Sequence, residues 1–240
     1  MKRLVAMGLS VVLAACGGGG DSAPVSAPPV TAEGFWEGPA STGVSVALAV
    51  LENGETWGVY TSSGSIIGAL YGNTTFVGTT LSGSGKDFNI PSRTVGSGTY
   101  SGTFVNKSSI NVATSAGSTF SGIYRTAYDQ PASLAAVAGT YSGTGVSGTS
   151  PVQTVSVAIS SSGSITVPAS LGCSAAGTAT PRPSGKNIFD VTVTFTGSSC
   201  ALGNGASTTG VAYYDATTRR VLVMAMNAAK SDGFIYVGQK

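Results

Sequence analysis

Short runs in which apolar and small polar residues alternate cover the chain from residue 34 onward, and they define its fold class. Turn-forming Gly, Ser and Asn residues separate these runs about every 8 to 12 residues, a spacing typical of a β-sandwich or a β-barrel. The clearest run is 188–196, whose apolar positions are Phe189, Val191, Val193 and Phe195. Because successive side chains of a strand point to opposite faces, this pattern predicts strands with one face buried and the other in solvent.

The composition favours the same fold class. The chain has 35 glycines and only 9% charged residues, and the residues that long helices need in periodic register are scarce. β-Branched residues suit a pleated surface, and glycine supplies the positive φ angles of tight turns. A hydrophobic fraction of 42%, arranged in alternating runs, is too high for a disordered chain. We therefore predict an all-β protein.

Each half of the chain contains eight candidate strands. In the first half they are 34–38, 43–51, 56–61, 65–71, 74–81, 98–105, 109–114 and 118–125. In the second half they are 139–143, 153–160, 164–167, 171–179, 188–196, 208–214, 220–226 and 233–238. Eight strands can close into a barrel that is either filled by side chains or holds one small ligand, and closure removes the exposed edges. The sequence therefore predicts two small antiparallel meander β-barrels in tandem, at 33–128 and 139–240.

The segment between the predicted barrels has a different pattern. Residues 129–138 form a linker in which Pro131 begins a short alanine-rich helix and Gly139 ends it.

One strand of the second half, 220–226, is apolar on both of its faces. One of these faces consists of Leu222, Met224 and Met226. A strand of this kind is covered on both sides, so we expect the two barrels to pack together there.

The first residues have the organisation of an export signal. Lys2 and Arg3 precede an apolar run of about a dozen residues, which is shorter than the roughly 20 residues that span a bilayer. The run ends in Leu-Ala-Ala-Cys at 13–16, which closely resembles the lipobox of bacterial lipoproteins. The resemblance implies that residues 1–15 are a signal peptide and that Cys16 is acylated, which anchors the protein to a membrane. An ordinary secretory signal with a chance cysteine, or a buried apolar strand, would explain the same residues without a lipid.

Residues 16–32 then form the lipidated cysteine and a flexible tether, because their Gly-, Ser- and Pro-rich sequence lacks a core-forming pattern. Residue 17 is Gly rather than Asp, and the resemblance to Gram-negative lipoproteins therefore implies the outer membrane, on its periplasmic face or at the cell surface. The whole chain also resembles uncharacterised lipoproteins of Gram-negative bacteria. In architecture alone, it resembles the transferrin-binding lipoproteins, which combine a lipobox, a tether and an eight-stranded barrel; this implies no partner.

The other two cysteines, Cys173 and Cys200, form an even set in an oxidising compartment, so we expect one disulfide. A redox or metal-binding pair of thiols is the alternative. It would normally show a C-x-x-C spacing or a histidine companion, and the sequence has neither.

Charge and residue types limit the possible functions. Of the 12 basic residues, Lys2 and Arg3 lie in the signal, which leaves 10 basic against 10 acidic side chains in the mature chain. This balance gives no electrostatic reason to expect a nucleic-acid partner. The chain has no histidine and no G-x-S-x-G motif, and its carboxylates are scattered. We therefore expect no enzymatic activity, no metal site and no cofactor; a glycosidase pair or a Ser-Lys dyad would require support that the sequence does not give.

Aromatic residues are the candidates for binding. Gly34-Phe35-Trp36 opens the first predicted barrel and Arg125 ends it, which resembles the G-x-W of lipocalin- and avidin-like barrels. In those barrels a first-strand Trp closes the base beneath a basic residue from the last strand, and the resemblance assigns these roles to Trp36 and Arg125. Trp57 and Tyr60 are further candidates, either for binding or for closing the barrel, because Trp and Tyr are favoured at binding surfaces. The alternative is that all of these aromatics fill the core. The second barrel has Tyr141 in place of the Trp, and Lys240 is the basic residue near its end.

The function predicted from these features is a lipid-anchored, non-catalytic binding or interaction protein whose protein or small-molecule ligand is unknown. The alternative is a structural or assembly component of the outer membrane with no small ligand. An integral outer-membrane barrel would need strands of roughly 9–11 residues with aromatic girdles, and most of the predicted strands are shorter. A sizeable cavity or an exposed aromatic patch would favour the binding protein, whereas two filled barrels would favour the structural component.

Overall fold

The computed structural model describes residues 30–148 and 150–240, which form two closed antiparallel barrels of eight strands each. The fold class predicted from the alternating pattern is therefore confirmed. The predicted signal peptide, Cys16 and residues 17–29 of the predicted tether lie outside the described residues. The last residue of the predicted tether, Ala32, belongs instead to the first barrel, because it is fully buried and its carbonyl accepts a hydrogen bond from Trp36 Nε1 at 3.0 Å.

Consecutive strands of the first barrel pair with each other, and the first strand closes the barrel by pairing with the last. The strands are β1 (Gly34–Pro39), β2 (Ser45–Val50), β3 (Glu55–Ser62), β4 (Ser65–Val77), β5 (Thr80–Asn89), β6 (Thr94–Val105), β7 (Ser109–Thr114) and β8 (Thr119–Tyr124). Trp36 lies opposite Tyr124 at the closure.

One predicted strand of the first barrel is wrong. The stretch 74–81 is not a strand of its own but the end of β4, a turn and the start of β5. The error arises because the inward positions of β5 include Gly83, Gly85 and Asp87, which give no apolar alternation. In this barrel β4 and β6, with 13 and 12 residues, extend furthest beyond their predicted bounds, and β5 between them has 10 residues.

The second barrel closes in the same way, with its first strand paired to both the second and the last. Its strands are β9 (Gly139–Ser147), β10 (Gln153–Ile159), β11 (Ser164–Ser170), β12 (Cys173–Pro181), β13 (Ile188–Thr196), β14 (Ser207–Asp215), β15 (Arg220–Met226) and β16 (Gly233–Gln239). The apolar face predicted on β13 is buried inside this barrel, together with side chains from its other strands. Cys173 and Cys200 form a disulfide, as predicted.

The linker between the barrels contains a 3-10 turn at Thr126–Asp129 and the short helix α1 at Leu134–Val137. The helix is shorter than predicted, because it begins after Ser133, whose hydroxyl accepts a hydrogen bond from the amide of Ala136. None of the helices in residues 30–148 and 150–240 has the length and the hydrophobicity to cross a membrane.

The two barrels pack against each other through β15, as its apolar faces predicted. Val221, Val223 and Ala225 belong to the interior of the second barrel, while Leu222, Met224 and Met226 belong to a core shared with the first barrel. Across this interface the rings of Phe35 and Tyr213 are stacked, with centroids 3.7 Å apart.

Ion pairs surround the shared core. Glu37 on β1 binds Arg220 of the second barrel at 2.9 Å, and Glu52 binds Arg182 of the second barrel at 2.9 Å. Such partly exposed pairs contribute little stability individually. They help to fix the orientation of the two barrels, while the apolar contacts supply most of the stabilisation.

Candidate functional site: a cavity in the first barrel

The first barrel encloses a cavity of about 510 Å³. The cavity is open at the end of the barrel where β1 turns into β2 and β7 turns into β8, since Thr42 and Ser115 from these turns are among its lining residues. The opposite end is closed by Trp36, which is fully buried, and by Tyr124, whose ring packs edge-on against it. Small-molecule sites in proteins commonly have volumes of roughly 300–1,000 Å³, and the cavity falls within this range.

Glycines at inward positions create this space. Four of the five inward-facing pairs between β5 and β6 contain a glycine: Leu81 opposite Gly102, Gly83 opposite Tyr100, Gly85 opposite Gly98, and Asp87 opposite Gly96. On the neighbouring β4, Gly68 and Gly72 also face inward. In most eight-stranded barrels large side chains at such positions fill the interior. Here five of the ten positions in the five pairs between β5 and β6 are glycines, and the cavity lies against this part of the wall.

Two tyrosines cover parts of the glycine wall. The ring of Tyr60 lies against Gly68, where a Cβ atom would come within 2.9 Å of Tyr60 Cδ2, and the ring of Tyr100 occupies the space above Gly83. Aromatic side chains often cover glycines of neighbouring strands in this way. The ring of Tyr60 on β3 therefore lies over β4, and the ring of Tyr100 on β6 lies over β5.

A chain of hydroxyl groups fixes Tyr100 in the floor of the cavity. Thr56 Oγ1 donates to the carbonyl of Gly54 at 3.0 Å, and it lies 2.6 Å from Thr74 Oγ1, which lies 2.8 Å from the Tyr100 hydroxyl. Because the proton of Thr56 is used by Gly54, Thr74 must donate to Thr56 and Tyr100 to Thr74. All three hydroxyl protons are thus committed within the protein.

The rest of the lining is mainly apolar, with polar groups near the opening. The apolar residues include Val44, Val46, Leu48, Val50, Leu70, Leu81, Ile110, Val112 and Phe120. Polar residues at or near the opening include Thr42, Asn89, Ser97, Ser115 and Thr119. An apolar pocket with a few polar groups is the usual form of a small-molecule site.

Asp87 is the one lining residue with an acidic or basic side chain. Its side chain is exposed, but partial burial by the surrounding protein atoms still raises the pKa of its carboxyl group above the ordinary value. Burial, followed by the negative charge of Asp87, raises the pKa of Tyr60, so the Tyr60 hydroxyl keeps its proton at neutral pH. A carboxylate and a protonated phenol therefore lie near each other in the upper part of the cavity.

The predicted pairing of Trp36 with Arg125 is wrong. Trp36 does close the base of the first barrel, but Tyr124 packs against its ring. Arg125 follows Tyr124 directly, so the alternation of β8 directs Arg125 to the outside, where it forms an ion pair with Glu37.

The prediction for Trp57 as a residue that binds a ligand or closes the barrel is also wrong. Trp57 points out of the first barrel into the interface, where it packs edge-on against Tyr71 and lies beneath Lys230 Nζ, 5.1 Å from the ring centroid. Its buried Nε1 has no hydrogen-bond acceptor among the described residues. Thr56 and Gly58, on either side of it, face the interior, so the position of Trp57 follows from strand alternation.

The second barrel contains the arrangement expected of the first. Tyr141 on its first strand is fully buried, and Lys240, which follows its last strand, lies over the rings of Tyr141 and Tyr214 at 5.4 and 4.8 Å. Lys240 Nζ also donates hydrogen bonds to the carbonyl of Ala136 in helix α1 and to that of Ala138, which follows the helix. A basic residue from the end of the barrel thus covers a first-strand aromatic here, where the sequence has Tyr rather than Trp.

Of the four candidate binding residues from the sequence, only Tyr60 lines the cavity. Asp87 and the glycines opposite and beside it are not among the residues predicted from the sequence. The available signal was the spacing of Gly83, Gly85, Gly96 and Gly98, which recur at every second position of two consecutive strands. No set of three or more His, Cys, Asp or Glu side chains is placed to hold a metal ion among the residues that the structure describes.

No family model matches the chain, and no curated protein matches it. The chain is similar to a crystal structure of a protein of unknown function from the DUF3598 family of Nostoc punctiforme. The two share 12% sequence identity, the similarity covers 87% of this chain and 96% of that chain, and the TM-score is 0.28. The function of that protein is itself unknown.

Proposed function

We propose that this chain is a lipid-anchored, non-catalytic binding protein of the bacterial cell envelope, and that the cavity of the first barrel holds its ligand. The observation that carries the proposal is the cavity itself, about 510 Å³ inside a barrel that is open at one end. Side chains that line an empty space lack packing contacts on one side. A barrel with only a structural role would therefore be more stable if this space were filled. The second barrel, with the same number of strands, has a packed interior.

The residues of the cavity support binding rather than catalysis. Apart from Asp87, the lining residues are apolar, hydroxyl-bearing, amide-bearing or glycine, and the chain contains no histidine. The Tyr60 hydroxyl is protonated at neutral pH, and the rise of its pKa above the ordinary value makes it still less suited to act as a base. Hydrolytic enzymes of the kinds considered above pair a carboxylate with a second acid or base, and Asp87 has no such companion in the lining.

The geometry of the first barrel suits an anchored binding protein. The chain enters this barrel at the closed end, where Ala32 is buried next to Trp36, and β1 then leads toward the open end. A tether from an acylated Cys16 would therefore attach opposite the opening. In this proposal the barrel stands on the outer membrane with its opening directed away from the lipid anchor.

Binding of an uncharged apolar dye tests the proposal. A substitution at Gly96 serves as the variant that fills the cavity. Gly96 lines the cavity, and a Cβ atom added there has no heavy atom within 4 Å, so Gly96→Phe places a ring in the cavity without a clash near the backbone. The adjacent Val95 faces solvent with 53% of its surface exposed, and Val95→Phe is therefore the matched control. Fluorescence titration of the full chain with N-phenyl-1-naphthylamine, under identical detergent conditions, measures the affinity.

We expect saturable binding to the unmodified chain and to Val95→Phe, and at least tenfold weaker binding to Gly96→Phe. Equal binding to all three proteins would mean that the dye binds elsewhere. If the dye does not bind at all and native mass spectrometry of the purified chain detects no bound small molecule, the structural role becomes the better explanation.

A further inference from the structure

Asp87 has an unusual position for an acidic side chain. It lies on an inward position of β5, between Leu70 on β4 and Gly96 on β6. Asn89, two residues further along β5, ends the strand at the opening, so Asp87 lies one layer of side chains below the opening. A charge in a cavity with apolar walls interacts more strongly with another charge than it would at the outer surface.

No group in the described residues neutralises Asp87. The ion pairs in residues 30–148 and 150–240 use other carboxylates, namely Glu37, Glu52, Asp129 and Asp190. Lys86, next to Asp87 in sequence, has its Nζ on the other face of β5, where it donates to the carbonyl of Lys230 at 2.8 Å. Within residues 30–148 and 150–240 the Asp87 carboxylate therefore has no cationic partner.

The lower part of the cavity offers little to a polar ligand group. The hydroxyl protons of Thr56, Thr74 and Tyr100 are all donated within the protein. The surrounding side chains, such as Leu48, Leu81 and Ile110, are apolar. A ligand thus meets an apolar floor and, one layer below the opening, a single negative charge beside the ring of Tyr60.

We propose that the cavity binds amphiphiles with a cationic amine head and an apolar tail, an inference that rests on the proposed binding function of the cavity. The tail occupies the floor, and the ammonium group donates hydrogen bonds to Asp87 near the face of Tyr60. A charge-assisted hydrogen bond and a cation–π contact both favour such a head group. An anionic head would face the carboxylate and be repelled.

Three ligands with the same eight-carbon chain separate the head group from the tail: octylammonium, 1-octanol and octanoate. Isothermal titration of the full chain at neutral pH gives their affinities. We expect octylammonium to bind at least tenfold more tightly than 1-octanol, and octanoate more weakly than both. Asp87→Asn should reduce the affinity for octylammonium to that for 1-octanol and leave 1-octanol unchanged.

Asp215→Asn is the matched control, because it removes the same charge from the end of β14 in the second barrel, where Asn can still accept the amide hydrogen bonds of Thr217 and Thr218. It should leave all three affinities unchanged. If 1-octanol or octanoate binds as tightly as octylammonium, or if Asp87→Asn keeps the preference, the inference about the head group is wrong while the cavity remains a binding site. If none of the three ligands binds and the neutral dye also fails to bind, the proposed function itself fails.

Discussion

Met224 offers a quantitative test of the interface between the two barrels. Its side chain is 3% exposed and lies in the core that both barrels share. The substitution Met224→Asp removes a buried apolar side chain, which costs roughly 1.5–3 kcal/mol. The introduced carboxyl has no cationic partner in this apolar core, so it must lose its charge to remain buried. Protonating a carboxyl of ordinary pKa, about 3.9, at pH 7 costs about 4 kcal/mol. The total of about 6 kcal/mol is comparable to the whole stability of many domains.

The two parts of this cost differ in their dependence on pH. The introduced carboxyl has a raised pKa in the folded protein, so its penalty is absent below the pKa of the unfolded chain and grows as the pH rises. Met224→Leu, which conserves the volume of the side chain, should cost less than about 1.5 kcal/mol at any pH. Urea denaturation followed by tryptophan fluorescence gives the free energies of unfolding of the two variants, Met224→Asp and Met224→Leu. Their difference should decrease by about 4 kcal/mol between pH 7 and pH 4. Equal stabilities at pH 7, with no dependence on pH, would show that this face of β15 is in solvent and that the barrels do not pack there.

Three further predictions concern other features of the chain. The double variant Cys173→Ser, Cys200→Ser opens a loop of 27 residues and should lower the free energy of unfolding by about 3.5 kcal/mol in urea denaturation; an unchanged stability would mean that the disulfide does not constrain the unfolded chain. Asp87→Asn should raise the stability of the ligand-free protein at neutral pH, because the pKa of Asp87 is raised by burial, and the gain should disappear as the pH falls below about 4, where the carboxyl is protonated in both folded and unfolded chains. A gain that persists at low pH would have another origin. Finally, Cys16→Ser should abolish incorporation of labelled palmitate and release the protein from the outer-membrane fraction; continued labelling would place the acyl chain on another residue.

The sequence predicts those parts of the fold in which apolar side chains do the packing. The bounds predicted for β13 and β15 agree with the structure to the residue, because both strands bury large apolar side chains at every second position or on both faces. The hairpin of β4 and β5 was missed for the opposite reason. Its inward positions include Gly72, Gly83 and Gly85, and a pattern search for apolar residues does not detect positions without side chains.

The candidate site was predicted less well for the same reason. A cavity forms where side chains are missing, whereas aromatic and charged residues in a sequence indicate only side chains that are present. Trp57 and Tyr60 are separated by three positions, so strand alternation alone places them on opposite faces, but the sequence does not show which face encloses a cavity and which covers another barrel. Arg125 illustrates a similar limit, because a strand end predicted one residue too far leaves the direction of the final side chain undetermined.

The burial of β15 on both of its faces has a consequence for the dynamics of the molecule. One of its faces belongs to the interior of the second barrel and the other to the core shared with the first, and both of its edges are paired, with β14 and β16. No local opening of either barrel alone can expose this strand on both sides. Because its amides are hydrogen-bonded to β14 and β16, they should exchange with solvent only when the second barrel unfolds, and the contact with the first barrel should slow this exchange further.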